Sequence, residues 1–324
     1  MINILVTGAG GGVGQGVIKS LNLIKDLSVN IYAADMSEFA AGLYFTENRE
    51  LVPPISSSQY IEKIISLCQH HRIDYYIPGT DLELELCAQN REQIYSLSKT
   101  KVVVSGIELI KIGNDKLLTA DTLKKLDFPF AKTINAADWT SSHNFIFPVI
   151  VKPKIGCRSI GVSLEQNYIG VENRIAQEKN LVIQEHIGNP NNEYTCTVVV
   201  CRGRVIGSLA LKRDLRSGDT FRAFPVNNEG LTNFIEDLAL KLNVEGSINI
   251  QLRMRDNEPV VFELNCRFSG TTPFCSLLGF NPVEAYIKSD LNIKYKYAVD
   301  YDSIILRNWQ EKKISKKEVD DLIQ

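Results

Sequence analysis

The sequence predicts an α/β chain in which a parallel, doubly wound sheet comes first and a mixed α+β portion with antiparallel strands follows. Two observations carry this. Across residues 2–105, short apolar runs alternate with amphipathic stretches of helical spacing, the order that builds a parallel sheet with crossover helices. Across residues 246–270, GSINIQLRMRDNEPVVFELNCRFSG, polar and apolar residues alternate on both sides of an Asp-Asn-Glu break, the pattern of an antiparallel hairpin.

Taken in order, residues 2–7 form a buried strand that runs into Gly8-Ala-Gly-Gly-Gly-Val-Gly14 and an amphipathic helix to about Lys25. A second strand at 29–34 ends at Asp35. Strand, glycine turn, helix, strand and acid make the mononucleotide half of a Rossmann-type sheet. Such a turn binds NAD(P) with the acid on the ribose, and it also occurs in sheets that hold no dinucleotide. A helix opening near Ser58 with Ile61, Ile64, Ile65 and Cys68 on one face, a strand at 73–78, a helix at 81–97 and a strand at 101–105 continue a sheet expected to have five strands. Gly79-Thr80-Asp81 falls at a strand's carboxyl end, where such sheets place ligands. Asp81 there serves more often as a helix cap.

In the middle, Asp115-Lys116 opens a helix to about Leu126, and residues 147–153 form a strand that delivers Lys152 to a polar loop at 154–162 carrying Gly156 and Gly161. A lysine leaving a buried strand beside a loop with exposed N–H groups suits a polyphosphate. No Gly-Lys-Ser/Thr opens a helix here, so the loop is not a Walker loop. Strands follow at 181–187, 193–200 and 205–212, with Glu185 and Glu193 at strand ends and His186 read as structural.

Within the 246–270 hairpin, period-two alternation puts Asn249, Gln251 and Arg253 on one face and Glu263, Asn265 and Arg267 on another, with Phe262, Leu264 and Cys266 behind. A loop of odd length, such as 256–258, sets Gln251 opposite Glu263; a two-residue loop flips the parity and separates them. One carboxylate, side-chain amides and guanidinium groups together suit a hard divalent cation and a transferring phosphoryl group. The same alternation is also what an ordinary sheet with one wet face displays. Beyond the hairpin, a short helix at 271–278, a helix from Pro282, terminal strands within 295–306 and a polar helix at 315–323 are expected.

The bulk numbers exclude several classes. The 324 residues suffice for two or three domains, and a net charge of −2 gives no global reason to expect nucleic acid or an anionic membrane as partner. No apolar stretch approaches a membrane span. Seven cysteines stand singly, without a Cys-x-x-Cys pair, which argues against zinc; an odd count without an export signal predicts the cytoplasm.

Four pieces in order resemble the ATP-grasp superfamily: Asp115-Lys116, FPVIVKPKIGCRSIGV, VIQEHIGNPNNEYTCTVVV, and INIQLR with FELNCRFSG. The likeness is to the carbamoyl-phosphate synthase large-subunit type and its small stand-alone relatives, and it covers most of the chain. It implies a Rossmann-like domain over 1–108, a small lid subdomain over 109–180 and a large subdomain with a C-terminal extension over 181–324. It further implies that Lys116 and Lys152 contact ATP phosphates beneath a flap at 156–161 that includes Gly156, Ser159 and Gly161. Glu185 to Ile187 would line the adenine and Glu193 the ribose. Gln251, Glu263 and Asn265 would hold Mg²⁺ or Mn²⁺, Arg267 and Lys152 would serve catalysis, and Arg216 would lie near the phosphates. Cys157 and Arg158 depart from a flap that is richer in small residues in many members, and a full carbamoyl-phosphate synthase is excluded because no second copy or glutaminase is present. The activity implied is ATP-dependent joining of a small carboxylate to an amine, ammonia or thiol through an acyl phosphate, with a homodimer as the family's expectation. The competing readings are an NAD(P)-dependent oxidoreductase or epimerase using the glycine turn, and a nucleotide-binding subunit without turnover.

Overall fold

The computed structural model describes residues 1–140, 143–156, 160–189, 192–308 and 310–323. Of the residues singled out above, Cys157, Arg158 and Ser159 lie outside these ranges. The described residues contain three sheets. In the first, Ile2–Val6 lies at the centre between Val29–Asp35 and Tyr75–Ile77, with Asn48–Leu51 and Lys101–Val102 at the edges, and every pairing is parallel. The edge strand Asn48–Leu51, sequence NREL, has no apolar run by which alternation alone would find it. The C-terminal helix Lys316–Ile323 packs against this edge, with Glu318 ion-paired to Arg49.

The second sheet is antiparallel in the order Thr133–Asn135, Leu181–Glu185, Val149–Pro153, Ser163–Glu165. Leu181–Glu185 is therefore an interior strand, and the division expected at 180 would cut this sheet. Its partners on both sides precede residue 180, so pairing assigns the strand to the small subdomain. The third sheet, also antiparallel, runs Glu258–Asn265, Gly246–Arg255, Glu193–Cys201, Arg204–Arg216, Asp219–Val226, Ile305–Leu306. Of the terminal strands expected within 295–306, only that last pair enters the ladder. Tyr295 and Tyr297 pack on Phe280 instead, the latter with ring centroids 4.7 Å apart.

The buried side chains group the elements differently from the chain order. Leu5, Tyr76 and Ile94 share one hydrophobic cluster with Val198, Ile235 and Ile250, and Ile4 and Ile18 share another with Leu211 and Phe280. The first and third sheets are thus joined by continuous cores. The small sheet has its own, built on Val149, Val151, Val171, Leu181 and Ile183. A separately cored layer over a larger body is the arrangement that lets one piece move as a unit.

The hairpin that carries the polar face is joined by only two residues, Asp256 and Asn257, with φ of 49° and 69°. Both angles are positive, as a type I′ turn requires. By itself this turn would set Gln251 opposite Phe262. A β-bulge corrects the parity: Leu252 pairs with Val261, but Gln251 pairs with Glu263 and Asn249 with Asn265. The extra residue in the bulged strand re-aims the side chains beyond it. Left-handed backbone at the turn makes a direct test available. Asn257→Gly should hold or raise stability by up to about 1 kcal/mol, whereas a β-branched residue at Asp256 should cost about 1–2 kcal/mol, read as opposite shifts of the thermal midpoint.

Candidate active site

Lys152 reaches the site because its strand is half core. Val149 and Val151 are fully buried in the small sheet's interior, so alternation turns Ile150 and Lys152 to the other face. Lys152 is only 5% exposed, and its Nζ donates to Gln184 Oε1 at 2.8 Å. Gln184 in turn donates to Thr133 Oγ1 and to the Phe262 carbonyl, tying the small sheet to the hairpin. Lys116 opens the helix Lys116–Lys125, whose cap Asp115 accepts from the N–H groups of Leu117 and Leu118. Its Nζ donates to the Gly156 carbonyl at 2.6 Å. Among the described residues neither lysine forms an ion pair. Burial pushes the Lys152 ammonium down to about 8, with Lys116 lowering it further and Glu263 partly opposing.

The opposite wall comes from the third sheet. Glu193 is buried, and both its oxygens are held by guanidinium groups: Oε1 by Arg213 at 2.6 and 3.0 Å, Oε2 by Arg253 at 2.8 and 3.1 Å. Arg213 also donates to Gln251 Oε1 at 2.9 Å, and Arg253 to His186 Nε2 and the Ile187 carbonyl. Burial and Arg253 together hold the His186 imidazole below its ordinary value. Glu263 Oε1 accepts from Asn265 at 3.2 Å, and Asn265 Oδ1 accepts from Arg267 at 3.2 Å.

One cleft gathers Lys116, Lys152, Gly156, Glu185, Ile187, Glu193, Gln251 and Glu263 from the expected set. Asn265 stands behind Glu263, and Gly161 packs on Pro153 and accepts from Arg174, neither lining the cleft. Ser159 lies outside the described residues. Two expectations are displaced. Arg216 ends exposed at its strand's terminus over the Phe221 ring; Arg213, three residues earlier on the same strand, supplies the guanidinium that lines the cleft. Arg267 is engaged by Asp81 through both carboxylate oxygens, at 2.6 and 2.8 Å, and is not part of the lining. Its strand ends at Asn265 and the chain turns there, Arg267 N–H donating to the Asn265 carbonyl, so alternation stops counting. Asp81 is correspondingly no cap: Thr80 is, in a capping box with Glu83. Phe262, expected behind the sheet, lines the cleft because of the bulge. Gln184, His186, Arg213 and Arg253 also line it. Of these, Arg253 was visible beforehand as part of a polar face, and His186 only as a member of the run 185–187.

The glycine turn has a different arrangement from a dinucleotide site. Asp35 Oδ2 accepts from Gly10 N–H at 2.8 Å and Oδ1 from Ser37 N–H at 3.1 Å, so the acid closes its own turn. Ala40 sits on Gly10, where an added Cβ would come within 3.0 Å of the alanine Cβ.

With this geometry in hand, comparison with known proteins shows what the chain is similar to. Residues 4–103 match the model for a PylC-like N-terminal domain, and residues 177–313 match that for an ATP-grasp protein in the biosynthetic pathway with Ter operon. Over the second of these stretches the chain resembles ATP-grasp proteins. It is 26% identical over 199 residues to the carbamoyl phosphate synthase large chain of Archaeoglobus fulgidus, covering 55% of this chain and 18% of that one. It is 24% identical over 204 residues to that of Agathobacter rectalis, covering 56% and 19%. The chain thus spans under a fifth of the length of these relatives. Among solved structures, N5-carboxyaminoimidazole ribonucleotide synthetase in its ADP complex superposes with a TM-score of 0.74 at 14% identity, covering 92% and 79% of the two chains. Biotin carboxylase from Campylobacter jejuni gives 0.70 at 17% identity, covering 94% and 73%.

The residues suit the group that this fold implies. Two buried lysines without carboxylate partners leave cationic charge in the cleft for a polyanion to answer. Glu263 brings a carboxylate, and Gln251 and Asn265 bring amide oxygens, the hard donors that Mg²⁺ or Mn²⁺ takes alongside phosphate. Among the described residues no cluster of three or more His, Cys, Asp or Glu side chains is poised for a metal without such help.

Burial of Lys152 carries a cost to the empty protein. Its charged form is disfavoured in the folded state, so the full penalty is present below pH 8. Stability then rises between pH 8 and the ordinary lysine value of 10.5, where the unfolded chain keeps the proton that the folded one has lost. Lys152→Met should therefore raise the thermal midpoint of the ligand-free protein at pH 7, by about 3 kcal/mol at most. The gain should fade by pH 10.5, and the stabilisation conferred by Mg-ATP should disappear in the same variant, all by thermal melts.

Proposed function

We propose that the protein is an ATP-dependent ligase that joins a small carboxylic acid to an amine-type nucleophile, or to ammonia or a thiol, through an acyl phosphate. The observation that carries this reading is the buried, unpaired Lys152 ammonium facing Glu263 across the cleft. A bound Mg²⁺ supplies charge neutralisation on the phosphate oxygens. This chain's residues do the rest. Lys152 and Lys116 would hold the triphosphate, and Glu263 with the Gln251 and Asn265 amide oxygens would hold the cation. The substrate carboxylate attacks the γ-phosphorus, the bond to the bridging oxygen breaks, and ADP departs with the electron pair. The nucleophile then attacks the acyl carbon, loses its proton and expels inorganic phosphate. Preorganised cations and a closing small subdomain meet the demands of that chemistry, since little covalent work is asked of the protein and water must be kept from the labile mixed anhydride.

The placement of Glu185 to Ile187 and Phe262 along the cleft supports an adenine site, and the buried Glu193 beside them supports a ribose contact once its guanidinium partners rearrange. Among the similar structures, N5-carboxyaminoimidazole ribonucleotide synthetase is a complex with ADP and a biotin carboxylase domain one with MgADP, which supports the nucleotide assignment. No helix among the described residues is long and apolar enough to cross a membrane, and the six described cysteines are free and buried, which supports a reducing compartment such as the cytoplasm.

The reaction is tested by ADP release with a panel of carboxylates and amines. Glu263→Ala should lower turnover at least a hundredfold while the protein still melts cooperatively and binds nucleotide; unchanged turnover would remove Glu263 from the metal site. Nucleotide binding with no ADP release from any pair would favour a regulatory subunit. Because a bound phosphate keeps the proton on Lys152, affinity for Mg-ATP should be level up to about pH 8 and then fall, approaching tenfold per unit, in calorimetric titrations. A flat profile to pH 10 would separate Lys152 from the phosphates.

A further inference from the structure

Glu263 lines the cleft on a single restraint. Among the described residues its side chain forms no ion pair and accepts one hydrogen bond, from Asn265 Nδ2 to Oε1 at 3.2 Å. A glutamate has much rotamer freedom to lose, so the direction of its carboxylate depends on how that amide is turned. An amide is an acceptor at one end and a donor at the other. Arg267 Nη2 donates to Asn265 Oδ1 at 3.2 Å, which leaves Nδ2 to face Glu263. Turned the other way, the amide would set its oxygen against the carboxylate and its donors against a guanidinium. Oδ1 keeps a second lone pair, so the contact with Arg267 does not take it from a cation.

Arg267 is aimed in turn from the first domain. Its Nε donates to Asp81 Oδ1 at 2.6 Å and its Nη2 to Asp81 Oδ2 at 2.8 Å, while Nη1 donates to the Phe268 carbonyl at 3.1 Å. The two side chains are only 12% and 23% exposed, so this is a partly buried fork-to-carboxylate pair and not a screened surface contact. Asp81 also has a fixed seat. It is the first residue of the helix Asp81–Ser98, directly after the cap Thr80. Buried Glu83 accepts from the Gly79 and Thr80 N–H groups at 3.0 and 2.9 Å through Oε1, and from the Thr7, Tyr60 and Tyr76 hydroxyls through Oε2. A Cβ at Gly79 would come within 2.0 Å of the Thr7 carbonyl oxygen, so the turn is pressed onto the end of the central parallel strand. Asp81 is thereby fixed to the carboxyl edge of that sheet.

We propose, resting on the ligase reading in which Glu263 holds the cation, that Asp81 is a positioning residue for Glu263, acting through Arg267 and Asn265. The parallel-sheet domain then sets the geometry of a cation site carried by the antiparallel one. Every link is a direct hydrogen bond: Asp81 to Arg267, Arg267 to Asn265, Asn265 to Glu263. The carboxylate is presented with Oε1 engaged, and Oε2 has no hydrogen-bond partner among the described residues. Without Asp81 the guanidinium is free to turn, the amide can flip, and Glu263 regains its rotamers. Cation binding weakens, while the lysines that meet the phosphates are untouched. Removing the outer partners of a metal-holding carboxylate typically lowers metal affinity about ten- to hundredfold.

Thermal-shift titration of Mg²⁺ into the full chain at saturating ADP tests this, beside a control with ADP in EDTA. In the wild type, Mg²⁺ should add to the shift that ADP gives alone. Asp81→Asn should keep the ADP shift in EDTA, which shows that it folds and that Lys152 and Lys116 still act, and should raise the half-saturating Mg²⁺ concentration about tenfold. Arg267→Lys, which keeps the charge but not the fork, should do the same. Because the contact runs through Asn265, Asp81→Asn should add nothing to the loss already shown by Asn265→Ala. A pair that only fastens two domains would lower the ligand-free midpoint and leave the Mg²⁺ requirement alone. The proposal is overturned if Asp81→Asn needs no more Mg²⁺ than the wild type, or if its effect multiplies with that of Asn265→Ala. Should Asp81→Asn fail to melt cooperatively, a wild-type Mg²⁺ requirement in Arg267→Lys overturns it. A wild type that responds to ADP but not to added Mg²⁺ would instead overturn the metal assignment, and one that responds to neither would overturn the ligase reading.

Discussion

The site is organised around a charge that the protein leaves unanswered. Lys152 is carried into the interior by a strand whose other face is core, and the protein offers its ammonium an amide oxygen rather than a carboxylate. Desolvating a cation without a counter-ion is unfavourable, and the folded state tolerates it only because the rest of the two sheets is well packed. Supplying a carboxylate would stabilise the free protein and close the cleft to a polyanion. Keeping the charge unpaired reserves it for the ligand.

A second constraint is the distribution of arginines. Arg213 and Arg253 clamp Glu193, and Arg267 is clamped by Asp81 across 186 residues of chain. Glu193 is buried and ion-paired to two guanidinium groups, so it serves equally as a structural anchor for the cleft wall. The Arg267–Asp81 pair fastens the end of the strand that carries Glu263 and Asn265 to the carboxyl edge of the parallel sheet. Together with the cores shared between the first and third sheets, it makes those two sheets one platform. The small sheet, cored separately and joined through Gln184, sits over that platform.

Much of this was legible from residues alone. Buried strands, the glycine turn and the polar face of the hairpin are local patterns, because side-chain direction repeats every two residues in a strand and every 3.6 in a helix. The strand NREL was not, since an edge strand with no apolar alternation looks like a loop until its neighbour is known. Neither was the exchange of Arg216 for Arg213, because which guanidinium reaches a carboxylate depends on the register with strands that lie elsewhere in the sequence.

By itself the sequence determined the fold class, the order of the elements and the inventory of charged and amide groups gathered at the cleft. Register was left to the tertiary structure. The Asp256–Asn257 turn would have separated Gln251 from Glu263, and one bulge restores the pairing while swinging Phe262 into the cleft. Arg267 meets Asp81, and Arg307 meets Gly270, only after distant segments close on each other. Periodicity is a property of neighbouring residues, whereas register and ion pairing depend on contacts whose partners are set by how whole sheets dock.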